Sequence, residues 1–217
     1  MPRIPRGQQA GSVYHVINRG NGRATIFHKA QDYQAFLSIL ALAKARHPVK
    51  LFAFSLMPNH FHFVIEASHQ QSLSRFMQWL LTSHVRRYHK HYGSSGHVWQ
   101  GRFKSFPVQR DEHLLMVVRY VLQNPVRSGL VASVNDWPWS SCRRSELADP
   151  CPVEVEANWA TQVDEPLSAA HLASIRESVN HQRPFGETDW QTKIASLFGL
   201  ESTMRPRGRP ALSEMRR

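Results

Sequence analysis

Met57-Pro58-Asn59-His60-Phe61-His62-Phe63-Val64-Ile65-Glu66 is the stretch on which the fold turns. A strand repeats every two residues, so His60 and His62 leave one face while Phe61 and Phe63 leave the other. The preceding run, Leu51 to Met57, is also strand-like, and Pro58-Asn59 supplies turn chemistry between the two. The histidine pair therefore stands just past the turn of a hairpin. Two imidazoles a few ångström apart on a rigid strand make half of a divalent-metal site. Taken alone, the same pair is equally explained as polar decoration on the wet side of a sheet.

Outward from this hairpin the chain keeps a regular order. Val13 to Asn18 has strand character and ends in Arg19-Gly20-Asn21-Gly22-Arg23. In that loop Arg19, Asn21 and Arg23 suit phosphate oxygens, and a solvated turn is the competing reading. Tyr33, Phe36, Leu37, Leu40 and Ala41 have helical spacing, with Asp32 as cap. A second helix is predicted over 72–92, with Leu73, Phe76, Met77 and Leu80 as its apolar stripe. Gly93-Ser94-Ser95-Gly96 breaks it. His97 to Phe106 interleaves aromatic and basic residues, with strand character through Val108, and Asp111 caps a third helix to about Asn124. Four strands split by two helices predict an α+β chain: a ferredoxin-like antiparallel sheet, helices packed on one face, the other face wet.

The third helix holds the second half of the site. Leu114, Val117, Val118 and Val121 share its core side, while Tyr120 and Asn124, four apart, stack on the shoulder and point the same way. Beside a metal held by two histidines, Tyr120 becomes a candidate nucleophile. A phenolate can attack phosphorus, and a cation on the non-bridging oxygens offsets the charge that builds up. Attack on a phosphodiester leaves a phosphotyrosine and a free 3′-OH, and the ester keeps the bond energy for rejoining strands. Asn124 is the candidate third metal ligand, with Gln123 as its rival. Tyr88 and Tyr92 are alternative nucleophiles without a carboxamide at the favourable offset. Glu66 shares the histidine face but lies too far along it to ligate, and His15, on the first strand, is a candidate extra ligand with a structural or DNA-contacting role as the favoured reading.

Composition names the partner class. The 217 residues carry 27 Lys+Arg against 16 Asp+Glu, a net charge of +11, which points to a polyanion and first to nucleic acid. No segment approaches the ~18–20 apolar residues of a spanning helix, so no membrane partner is expected. The N-terminus is basic without an apolar h-region, unlike a signal peptide. Cys142 and Cys151 read as ordinary reduced cysteines of a cytoplasmic protein. Arg102 and Lys104, beside Trp99 and Phe103, would suit a single strand, cations on phosphates and rings on bases. The alternative makes the two rings core. The chain divides into residues 1–135, which carry the site, and an extension over 136–217. The extension opens with Trp137-Pro138-Trp139 as a link, becomes helical and ends in a basic tail. There Arg207-Gly208-Arg209-Pro210 has the form of a minor-groove clamp.

At this point the sequence resembles a known family, the REP-associated tyrosine transposases of the single-tyrosine HUH endonucleases. The residues that carry the resemblance are Asn18-Arg19-Gly20-Asn21, Met57-Pro58-Asn59-His60-Phe61-His62, Gln100-Gly101-Arg102-Phe103-Lys104-Ser105 and Tyr120-Val121-Leu122-Gln123-Asn124-Pro125-Val126-Arg127, in order over about residues 10–140. The resemblance implies a ferredoxin-like fold and Mg²⁺ or Mn²⁺ at His60 and His62, with Tyr120 as nucleophile. It also implies single-stranded DNA beside a short hairpin (REP-like palindromes) as substrate. Arg127 then joins Arg19, Asn21, Arg23, Arg102, Lys104, Arg207 and Arg209 as a DNA-binding residue. The expected activity is that of a metal-dependent DNA endonuclease and strand transferase of transposase type, in a bacterial cytoplasm at the nucleoid. A monomer is favoured over a homodimer. The competing readings are a silent hairpin-binding regulatory module and a nuclease that activates water.

Overall fold

The computed structural model describes residues 7–205. Its element order follows the hydrophobic periods. β1 (Val13–Arg19) leads to α1 (Ala30–Arg46), then to the hairpin of β2 (Lys50–Met57) and β3 (His60–Glu66). α2 (Ser72–Tyr92), β4 (Lys104–Val108), α3 (Glu112–Leu122) and the single turn α4 (Asn124–Arg127) complete the site-bearing part. The four strands are antiparallel throughout, in the order β2-β3-β1-β4, which is the ferredoxin-like arrangement. Helix ends follow capping chemistry. Asp111 accepts from the His113 amide at the start of α3, as expected. Asp32, expected as the cap of α1, sits three residues past the actual cap Lys29 and accepts the amide protons of His28 and Lys29. The chain closes this helix from inside its first turn, as in the second half of a capping box.

Alternation sorts the sheet into two faces. Tyr14, Val16, Phe54, Leu56, Phe61, Phe63 and Ile65 point to α1 and α2 and meet Phe36, Leu40, Phe76 and Leu80. Phe36, Phe61 and Phe63 are fully buried there, each contributing roughly 1.5–3 kcal/mol of transfer free energy. The opposite face, expected to be wet, is not. α3 lies across β2, β3 and β4 and buries Leu114, Val117, Val118 and Val121 against Val64, Phe106 and Ala53. A register shift between Leu51 and Ala53 turns both Phe52 and Ala53 to this second core. The polar pair on β3 points to the face that alternation predicts, but α3 roofs that face and takes it out of bulk solvent.

The C-terminal extension is stitched to both sheet edges. Trp137-Pro138-Trp139 is not a free link: the Leu56 amide donates to Trp139 O, the Ser141 amide to Phe54 O, and Trp137 Nε1 to Leu56 O. Trp139 stacks on Tyr33 at 4.8 Å. On the far edge the Phe185 amide donates to Pro107 O and the Gln109 amide to Phe185 O. Unpaired edge strands invite unwanted pairing, and both are covered here by the chain's own later segments. α5 (Trp159–Asp164), α6 (Ala169–His181) and α7 (Thr188–Phe198) make up the helical part of the extension, with α6 against α3. Arg207 and Arg209 lie outside the described residues.

Candidate active site

Three rings from two elements meet between the sheet and α3. His60 and His62 have centroids 5.0 Å apart, and Tyr120 reaches down from α3 to 5.8 Å from His62, edge to face. Tyr120 is only 7 % exposed, more enclosed than its place on the helix shoulder implied, because the sheet face is roofed. Asn124, one turn on, is also buried, and its Nδ2 donates back to the Tyr120 carbonyl at 3.1 Å. Gln123 points elsewhere: its Nε2 donates to the carbonyls of Val163 and Glu165 and so ties α3 to the extension.

Each histidine of the pair is held by a neighbour. His60 Nδ1 lies 2.7 Å from Asn59 Oδ1, so the turn residue before the strand fixes that ring. His62 Nδ1 lies 2.8 Å from Nε2 of His15, a fully buried residue on β1. No local pattern marks this partnership, which depends on β1 pairing with β3 with Val64 opposite His15. Burial holds all three imidazoles neutral. His15 is lowered to about 3 by desolvation, His60 to about 4 by desolvation and the nearby Arg19 guanidinium. His62 is lowered well below the usual value by desolvation, its two histidine neighbours and the cations Arg127 and Arg19. Neutral imidazole is the form that can ligate a cation.

Arginine surrounds this centre on two sides. Arg19 pairs with His60 across β1 and β3. It shares a groove of about 290 Å³ with Asn18, Gln100, Arg102 and Lys104. Arg102 and Lys104 are exposed, but Trp99 and Phe103 beside them are not. Trp99 packs at 5.2 Å from Phe61 and 6.2 Å from Phe36, so these rings belong to the core and are not a base-stacking platform. Arg127 places its Cζ 4.3 Å over the Tyr120 ring, with Nη2 donating to the Tyr120 carbonyl at 2.8 Å. Desolvation lowers its pKa, and Arg176 on α6 acts in the same direction. Asn21 lines a separate hollow with Tyr88 and His97, and Arg23, exposed, offers its carbonyl to Asn59 Nδ2.

Other candidates fall away from this centre. Tyr88 and Tyr92 are on the α1/α2 side of the sheet, bonded to His28 and Asp32. Burial and the Asp32 carboxylate push Tyr92 up to about 12. Glu66 sits at the far end of β3, in ion pairs with Lys50 and Arg110. Asp111, Glu112 and His113 bring ligand-type atoms close together, but Asp111 accepts from both the amide and the ring of His113. That cluster caps α3 about two turns from Tyr120. Cys142 and Cys151 are free thiols. No described helix is long and apolar enough to cross a membrane.

Known proteins resemble this chain in sequence and in fold. The family model described as "Transposase IS200 like" matches residues 8–124, from before β1 through Asn124. The chain is 23 % identical over 157 residues to the REP-associated tyrosine transposase of Escherichia coli (strain K12), covering 71 % of this chain and 88 % of that one. It is 28 % identical over 123 residues to a REP-associated tyrosine transposase of Haemophilus influenzae, covering 52 % of this chain and 69 % of that one. Its fold is shared with a solved REP-associated tyrosine transposase bound to a REP hairpin. The TM-score is 0.53 and the identity 21 %, over 78 % of this chain and all of that one. The family model spans the strand that carries the histidines and the helix that carries the tyrosine, so the chain belongs to the IS200-like transposase family and is an enzyme of that family.

Proposed function

We propose that this protein cleaves and transfers single-stranded DNA next to a hairpin, through a covalent 5′-phosphotyrosine on Tyr120 and with a divalent cation, Mg²⁺ or Mn²⁺, at His60 and His62. The observation that carries the reading is the meeting of a histidine pair and a tyrosine in one cluster of rings between β3 and α3. The donor set fits a cation. If the Nδ1–H of His60 donates to Asn59 and that of His62 to His15, both Nε2 lone pairs remain for ligation, and each ring is oriented by the bond its other nitrogen makes. Asn124 supports the third ligand better than Gln123 does. Its nitrogen is turned back along the helix, which sends the carbonyl oxygen the other way, whereas Gln123 is tied to the extension. A bound cation would supply Lewis-acid stabilisation of the phosphorane-like charge.

The remaining chemistry belongs to the chain. Tyr120 Oη forms a bond to phosphorus as the P–O3′ bond breaks. The phenolic proton leaves to water and the 3′ oxygen takes one up, giving a 3′-OH and a 5′-phosphotyrosine. The reverse attack by another 3′-OH rejoins strands. Arg19, Arg102 and Lys104 line a groove that could carry the strand to this point, with Asn21, Arg23 and Arg127 as further contacts and Arg207 and Arg209 as a tail clamp. The relatives' names and the hairpin-bound structure support a hairpin with REP-like palindromic sequence as substrate. In this reading residues 1–135 are the catalytic domain, 136–217 an extension, and a monomer acts in the bacterial cytoplasm at the nucleoid.

The test is incubation of the protein with labelled hairpin DNA and Mg²⁺. A denaturant-resistant protein–DNA adduct is expected from wild type and none from Tyr120→Phe, which should still bind DNA. Cleavage by both proteins without an adduct would replace this mechanism with water activation. Hairpin binding without cleavage at any metal concentration would leave a regulatory module.

A further inference from the structure

Arg127 occupies a position that phosphate binding alone does not require. It follows Tyr120 by seven residues, across the break at Gln123 where α3 gives way to α4. Its side chain folds back along the helix, stacks on the Tyr120 ring and ties Nη2 to the Tyr120 carbonyl. Arg102 and Lys104, by contrast, are exposed in the groove. The other terminal nitrogen of Arg127, Nη1, is buried and has no hydrogen-bond partner among the described residues. Leaving a buried cationic donor unmatched is costly, and such a group beside a nucleophile is most simply explained by a partner that arrives with the substrate.

Resting on the transferase reading above, we infer that Arg127 is a catalytic residue: its free Nη1 donates to a non-bridging oxygen of the scissile phosphate as Tyr120 attacks. Charge grows on those oxygens while the Tyr120 Oη–P bond forms and the P–O3′ bond breaks. A donor already in place there costs no reorganisation at that moment. The stack on Tyr120 and the bond to its carbonyl fix the guanidinium to the nucleophile's own backbone. Attacking oxygen and charge-stabilising donor then move as one unit. The planar fork is needed for this: one nitrogen holds the helix while the other faces the phosphate, a division that lysine cannot make.

The experiment is single-turnover adduct formation at saturating hairpin DNA and Mg²⁺ by full-length wild type, Arg127→Ala and Arg127→Lys. Affinity for uncleaved DNA is measured in parallel, and folding is checked by circular dichroism and melting. Arg127→Ala is expected to form phosphotyrosine about 100- to 1000-fold more slowly, the usual loss for one preorganised donor, with affinity changed by less than about threefold. Added guanidinium should restore part of the rate to Arg127→Ala and none to wild type. If Arg127→Ala does not fold, Arg127→Lys carries the test, with a rate at least about tenfold below wild type expected for loss of the fork. A wild-type rate in the folded variant, a loss confined to affinity, or a slow folded Arg127→Ala that guanidinium leaves unchanged would each overturn the assignment. Absence of any adduct from wild type would overturn the transferase reading and this one with it. A wild-type adduct beside an equally fast Arg127→Ala would overturn this one alone.

Discussion

The two faces of one sheet have been put to different uses, and β3 shows it residue by residue. Phe61, Phe63 and Ile65 enter a core of aromatic and aliphatic side chains under α1 and α2. His60, His62 and Glu66, alternating with them, face α3 and carry the polar chemistry. Both faces are covered, so the difference lies in what is buried and not in whether burial occurs. The α1/α2 face gains stability from transferred apolar area. The α3 face gives up part of that gain to hold neutral imidazoles, a phenol and an arginine where substrate can reach them, a common cost of functional sites.

Adjacent substitutions on β3 are the sharpest way to break this contrast. His62→Ala should abolish metal-stimulated cleavage while keeping much of the hairpin binding, and should cost about 1–3 kcal/mol of stability for the His15 nitrogen left unpaired. Phe63→Ala, one residue on, should cost about 3–5 kcal/mol of stability by leaving a cavity against Phe36 and Phe61, yet cleave at near the wild-type rate while folded. Urea melts and cleavage assays on the two proteins check this. If both lose activity and stability together, the faces are coupled and the division of labour is wrong.

Acid comes next in size. His84 is buried on the α1/α2 face among Phe27, Phe36 and Trp99, with neither ring nitrogen hydrogen-bonded among the described residues, and is lowered to about 3 by desolvation, with Arg87 adding to it. Its folded pKa lies below the unfolded value near 6.5, so the unfolded chain binds the proton first. The associated stability is complete above about pH 6.5 and is lost as pH falls towards 3. Between pH 7.5 and 5.5 this residue should cost about 1.4 kcal/mol, and His15 a similar amount from the other face. Melting in chelator at the two pH values should show the loss, and His84→Leu should remove about a quarter of it, because His60 and His62 are lowered in the same direction as His15. An unchanged melting temperature across that interval would mean that the imidazoles are not held neutral.

The same contrast explains what could be read in advance. The hairpin, the length of α2, the Asp111 cap and the spacing of Tyr120 and Asn124 all follow from periods of two and 3.6, which are local. The roofing of the histidine face does not. His-x-His looks alike on a wet sheet and on a buried one, and only the docking of α3, some fifty residues later, decides between them. His15 as the partner of His62 and Trp139 on the β2 edge depend on pairings between distant segments, which leave no mark in either segment alone. Trp99 and Phe103 misled for a related reason, since rings flanked by cations occur both in strand-binding grooves and in cores with solvated edges. Arg127 is named from the sequence as a DNA contact, but its stacking on Tyr120 is not, although seven residues is about two helical turns and places the two on one side of the helix.

The smallest expected effect separates the groove from the pocket. Arg102 and Lys104 are exposed and line the groove beside Arg19, so each should act on DNA as a point charge on a phosphate. Neutralising one phosphate of a single strand contributes about −0.7 to the slope of log K against log salt. Arg102→Ala and Lys104→Ala should each make that slope shallower by about this amount and weaken binding at low salt. They should leave the rate of adduct formation at saturating DNA unchanged, because neither residue reaches the Tyr120 pocket. Binding titrations from low to physiological salt, paired with single-turnover cleavage, make the comparison with Arg127→Ala direct: groove variants should change the slope and spare the rate, and the pocket variant should do the reverse. A groove variant that slows chemistry at saturation would show that the strand's path and the reacting phosphate are set by the same residues, and the boundary drawn between the two would have to move.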